Sequence, residues 1–214
     1  FGLILSGCGV FDGAEIQEAV ACMRAIDRRG DTYACLAPDR ELDTIDHLTQ
    51  LPTGEKRNVL VESARIARGE ITSLSDVKGS DYDAIVLPGG FGAAKNLCTF
   101  AIDGPDCSVD KNVSRVLREA HGAGRPIGFA CISPAVAAAV FGKDLRPRLT
   151  IGTDSGTAAG LETLGAMHEN REPTGVVDEA NRIVSTPCYM SATRVSEVFE
   201  GCDTMIEAIR GMLD

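Results

Sequence analysis

The chain has 214 residues, 44% of them hydrophobic and none of them Trp, enough for one well-buried core but not for two full-sized ones. A formal charge of −10 and a pI near 4.8 argue against a nucleic-acid or anionic-membrane surface, which would need clustered Lys and Arg. Eight cysteines are scattered through apolar and glycine-rich segments with no CxxC pair, a pattern of reduced thiols more than of a disulfide framework.

In chain order, residues 2–5 form an apolar strand that ends in Ser6-Gly-Cys-Gly9, with a further glycine at 13. From Ala14 the apolar residues Ile16, Ala19, Val20, Met23 and Ile26 recur at three- and four-residue spacing up to Gly30, a helix stop. Residues 32–37 read as a second strand, giving a βαβ start with the right-handed crossover expected of parallel strands. Residues 38–52 read as a loop, 58–67 as a helix and 71–74 as a short strand. The run Asp83-Ala-Ile-Val-Leu87 stops at Pro88-Gly-Gly-Phe-Gly92, whose glycines permit backbone N–H groups to converge on an anion. A helix begins at 93–97, residues 99–108 read as a loop, and 109–120 as a helix.

The buried strand 126–130 runs into Cys131 and then Ser133-Pro134, which opens an alanine-rich helix reaching about Phe141. Strand, abrupt turn and helix put Cys131 beside free N–H groups of a helix start, where a thiolate is favoured over a thiol. The same residues also fit a packed core thiol. Beyond this, the pattern gives a strand at 149–151, a helix at 156–164, a strand at 166–168 and a hairpin from 176–177 and 183–186. A closing helix spans 191–213 with an interruption near Gly201.

Alternating strands and helices joined by glycine loops predict an α/β fold, an open and mostly parallel sheet with helices on both faces, as one domain over residues 1–214. Ligands of such sheets bind beyond the carboxyl ends of the strands, so the loops at 6–13, 88–92 and 131–133 are expected to be neighbours.

These segments carry a resemblance. Residues 6–15, Arg57-Asn-Val-Leu60 with Ala64-Arg-Ile-Ala-Arg-Gly69, Pro88-Gly-Gly-Phe-Gly-Ala-Ala-Lys-Asn-Leu97 and Thr186-Pro187 resemble the enhancing-lycopene-biosynthesis (ElbB) proteins. Those are a branch of the PfpI-type superfamily with the class I glutamine amidotransferase-like fold. The resemblance implies a flavodoxin-like sandwich and a nucleophilic cysteine at the elbow, matched by Cys131. Many members of that superfamily carry His directly after the nucleophile, whereas this chain has Ile132, which can offer a backbone N–H but no base. Of the three histidines, His47 is expected in a loop and His121 at a helix end, while His168 reads as a strand-edge residue.

A carboxyl group is the alternative partner for the thiol. In relatives a Glu on the first helix faces the elbow cysteine, and counting back from Gly30 gives Glu18; Glu15, one turn away, is not separable from sequence, though Glu18 is favoured. Buried beside a thiol, such a group would have its pKa raised and could shuttle a proton. The expected catalytic set is Cys131, Glu18 and Glu15, with Gly89, Gly90 and Ile132 binding the oxyanion, no metal and no cofactor. Cys131 is expected to alkylate ahead of the other seven cysteines.

The expected partner is a small carbonyl substrate, with no nucleic acid, no membrane and a possible homodimer. The reading is a cofactor-independent, glyoxalase III-like conversion of glyoxal-type 2-oxoaldehydes to 2-hydroxy acids. The alternative is a redox-responsive or metabolite-binding protein with a reactive elbow cysteine. The expected compartment is the cytoplasm, or the mitochondrion if a leader precedes Phe1.

Overall fold

A computed structural model describes residues 1–213. In chain order the elements are β1 (Gly2–Ile4), α1 (Ile16–Asp27), β2 (Ala34–Ala37), β3 (Glu41–Ile45), β4 (Pro52–Asn58), α2 (Val59–Ile66), β5 (Ile71–Ser73), β6 (Ile85–Leu87), α3 (Phe100–Asp103), α4 (Lys111–Gly122), β7 (Ile127–Ala130), α5 (Pro134–Leu145), β8 (Arg148–Leu149), α6 (Ser155–Thr163), β9 (Met167–His168), β10 (Val176–Asp178), β11 (Ile183–Thr186) and α7 (Val195–Arg210). No helix among the described residues is long and apolar enough to cross a membrane.

Seven strands form one sheet in the order β10-β11-β7-β6-β1-β2-β5, parallel throughout except that β10 runs against β11. The strands read as continuous apolar runs because both faces are covered. Alternation along each strand sends Ile4, Ile85, Leu87, Ile127 and Phe129 to one face, where they pack with α4 and α5. Leu3, Leu5, Val86, Ala130 and Val184 go to the other, under α1 and α7. The chain leaves β1 toward β2 and β5, then returns to its other side with β6, β7 and β11. The switch point therefore lies between β1 and β6, and the loops after β1, β6 and β7 open at the same end of the sheet.

The structure departs from the sequence reading in four elements. Residues 38–52 are not a loop throughout: β3 pairs with β4 in an antiparallel hairpin outside the main sheet. Only Leu42 and Thr44 of β3 are buried, so no apolar run marks it. Within the expected loop 99–108, residues 100–103 form the short helix α3. The strand expected at 149–151 is shifted to Arg148–Leu149, which pairs with β9. The closing helix is uninterrupted at Gly201; a Cβ there would lie 2.9 Å from Thr186 Oγ1, so the glycine permits close packing of α7 on β11 without breaking the helix.

Candidate active site

Cys131 ends β7 with φ at +60°, a left-handed conformation that a residue with a Cβ holds only where its surroundings enforce it. Two hydrogen bonds enforce it here: the Cys131 N–H donates to Thr186 O at 2.9 Å, and Ser133 Oγ donates to Leu87 O at 2.9 Å, clamping the turn between β11 and β6. The thiol is buried, with 7% residual exposure, and borders a cavity of about 280 Å³. Val10, Phe91, Ile132, Tyr189 and Met190 supply apolar walls, and Glu15, Asp154 and Thr157 supply polar groups.

Glu18 is fully buried on α1, and its carboxyl stands beside the Cys131 thiol, both lying against Gly89. One oxygen, Oε2, accepts from the Gly89 N–H at 2.8 Å; the other, Oε1, accepts from the Tyr189 N–H at 3.1 Å. Gly89 leaves room for this pairing: a Cβ on it would collide with that of Cys131 and approach Glu18 Oε2 to 2.6 Å and Cys131 Sγ to 2.8 Å. Burial raises the Glu18 pKa to about 7, against the opposing pull of the two backbone donors. Burial also pushes the Cys131 thiol well above its ordinary value, and the Glu18 charge adds to this, while the Gly90 N–H pulls the other way. The expectation of a resting thiolate is thereby corrected. Removal from water outweighs the helix N-terminus.

Glu15 is separated from Glu18 by role. Its Oε2 accepts from the Glu18 N–H at 2.7 Å and so caps α1, and burial raises its pKa despite the N–H groups of that first turn. It stands on the cavity wall, whereas Glu18 meets the sulfur. Of the three expected oxyanion donors, Gly89 is committed to Glu18. The Gly90 and Ile132 N–H groups have no hydrogen-bond acceptor among the described residues.

No histidine lines this cavity. His168 Nε2 accepts from the Ile151 N–H at 3.3 Å, and burial lowers its pKa. His47 follows β3 and holds the glycine loop, its Nε2 accepting from the Phe11 N–H at 3.3 Å. His121 packs on Phe141 with ring centroids 5.3 Å apart. Among the described residues no group of three or more His, Cys, Asp or Glu is arranged to hold a metal ion. Sequence reasoning missed Tyr189, Ser133, and Asn96, whose Nδ2 donates to Ser6 O and Asp12 O at 2.8 Å each and fixes the loop after β1. Only the Thr186-Pro187 motif hinted that the segment after β11 mattered.

The chain is 46% identical to the human protein named glutamine amidotransferase-like class 1 domain-containing protein 3, mitochondrial, an alignment covering 97% of this chain and 81% of the relative. It is 32% identical to the zebrafish protein named ES1 protein, mitochondrial, over 98% and 84% of the two chains. The chain belongs to the ES1 family of glutamine amidotransferase-like class 1 domain proteins. No family model matches it. Among solved structures, the isoprenoid biosynthesis protein with amidotransferase-like domain from Ehrlichia chaffeensis is 36% identical with a TM-score of 0.93, covering 100% of this chain and 98% of that one. Glyoxalase III from Candida albicans shares the fold at 17% identity and a TM-score of 0.62, over 97% and 95% of the two chains. This ES1-family chain therefore has the flavodoxin-like fold expected from its sequence, with a cysteine and a glutamic acid facing each other at the elbow.

Proposed function

We propose that this ES1-family protein is a cofactor-independent cysteine enzyme that converts small 2-oxoaldehydes to 2-hydroxy acids, and that it falls in the ElbB branch of its superfamily. The observation that carries the reading is the buried Glu18 carboxyl beside Cys131, whose thiol borders a small, mostly apolar cavity. A carboxyl with a pKa of about 7 is matched to taking and returning protons near neutrality. As an aldehyde carbon meets Cys131 Sγ, the S–C bond forms and the thiol proton passes to the Glu18 carboxylate. The Ile132 and Gly90 N–H groups receive the oxyanion. Glu18 hands the thiol proton to the oxyanion, then takes the proton from the thiol-bearing carbon and delivers it to the neighbouring carbon, while the hydroxyl proton passes to that carbon's oxygen, giving the thioester of a 2-hydroxy acid. Water cleaves the thioester and restores the thiol. Overall glyoxal and water give hydroxyacetate. Glu15 positions α1 and borders the substrate.

Three relatives carry the word mitochondrial in their names, which supports the mitochondrion, the second of the two expected compartments.

The test is kcat/KM for glyoxal and methylglyoxal. Glu18→Gln is expected to lose roughly 10²–10⁴-fold, the usual worth of acid–base assistance. Cys131→Ala should abolish turnover, and His168→Ala should leave it near wild type. In the wild type kcat/KM should rise through about pH 7, as Glu18 gives up its proton. Wild-type turnover by Cys131→Ala would end the reading.

A further inference from the structure

Behind the elbow that carries Cys131 lies a file of buried sulfurs, Cys188, Cys202 and Cys22, that carbonyl chemistry leaves unused. Cys188 Sγ faces Cys202 Sγ at 3.7 Å, and Cys202 Sγ faces Cys22 Sγ at 3.7 Å. Cys202 Sγ also lies 4.0 Å from Glu18 O, so the file runs along the back of the residue that stands beside Cys131. Strand register brings Cys188 to the elbow: Ala130 pairs with Thr186, the Cys131 N–H donates to Thr186 O, and the chain turns at Pro187. Cys188 has φ at +42°, so like Cys131 it sits in a left-handed conformation imposed by its surroundings. Cys131 is the only thiol on the wall of the cavity, while Cys22, Cys188 and Cys202 are at most 2% exposed.

We propose that this file is a thiol relay: a hydroperoxide oxidises Cys131, and the oxidation is passed inward to end as a Cys188–Cys202 disulfide. Cys131 sulfur attacks a peroxide oxygen, the O–O bond breaks, and the thiol proton leaves with the departing oxygen as water or an alcohol. Cys131 is left as the sulfenic acid. Cys188 sulfur displaces the sulfenic oxygen, which leaves as water with the Cys188 proton, and a Cys131–Cys188 disulfide forms. Cys202 sulfur attacks Cys188 at contact distance, forming the Cys188–Cys202 bond and releasing Cys131, which takes the Cys202 proton. One peroxide is reduced, two thiols are oxidised, and the elbow cysteine is returned before it reaches the irreversible sulfinic state.

The experiment treats the reduced full chain with one to three equivalents of hydrogen peroxide, quenches in denaturant with N-ethylmaleimide, and maps the peptides over time. The expected wild-type result is a Cys188–Cys202 cross-link with Cys131 recovered as the alkylated thiol. Cys202→Ser should trap Cys131–Cys188 after peroxide, yet in its reduced form still turn over glyoxal, which keeps this proposal separable from the carbonyl reading. Cys131→Ser should form the Cys188–Cys202 bond at least ~10-fold more slowly, since the cavity wall then offers peroxide no thiol from which to reach the file. Sulfinic Cys131 accumulating in the wild type with Cys188 and Cys202 still alkylatable would overturn the relay. So would a wild-type rate of cross-linking in Cys131→Ser.

Discussion

Glu18 keeps its proton to about pH 7 because its carboxyl is shut off from water, whereas the same group in an unfolded chain titrates near 4.5. A folded-state pKa above the unfolded one contributes stability that is complete below the unfolded value and is lost as pH rises through the folded value. At ~1.4 kcal/mol per pH unit, ionising Glu18 in place costs roughly 3 kcal/mol above neutrality. Urea unfolding of wild type and Glu18→Gln between pH 4 and pH 8 is therefore expected to shift by about that much in favour of the variant at the alkaline end. A stability difference independent of pH would mean that the carboxyl is not buried as described.

Cysteine reactivity follows the same physics and reverses one expectation from the sequence. The neighbouring Cys98 thiol lowers the Cys107 pKa, against the burial that opposes it, whereas burial raises that of Cys131. Brief limiting iodoacetamide at neutral pH should label Cys107 before Cys131, as read by peptide mapping. The elbow cysteine, Glu18 and the glycine loops were legible because local signals mark a strand ending in a turn. The thiol's environment was not legible, since Tyr189 and Gly89 reach Glu18 from 171 and 71 residues away.

Helices α1 and α7 together set the position of the acid and of the sulfur file, since Glu18 and Cys22 lie on the first and Cys202 on the second. Beyond the apolar seam they are tied by Asp203, which meets Arg24 at 3.2 Å, Arg28 at 2.8 Å and Arg29 at 3.0 Å. Burial works against its ionised form, but Arg29 and Arg24 donate to it and hold its pKa low. Arg24 and Arg28 are half exposed and screened, so Asp203→Asn is expected to cost only about 1 kcal/mol. The loss should shrink in 1 M salt, measured by thermal melting, and a salt-independent loss would point to packing instead. The helical period of α1 was readable from the apolar spacing of Ile16, Ala19, Val20, Met23 and Ile26. The β3–β4 hairpin was not, because it lies off the main sheet and exposes Glu41 and Asp43 on its open face.

At the scale of the molecule, the two apolar clusters share every central strand, so neither layer of helices can leave without uncovering the sheet that the other needs. The site is assembled from Glu18 on α1, Gly89 after β6, Cys131 after β7 and Tyr189 after β11, segments that meet only when the parallel sheet is complete. On this long-range construction we propose that the described residues unfold as one cooperative unit. Alkylation of Cys22, Cys131, Cys188 and Cys202 along a urea series should then share the midpoint of the loss of helical circular dichroism. A lower midpoint for Cys188 or Cys202 alone would show the end of the sheet opening separately, and the chain would have to be described as two units.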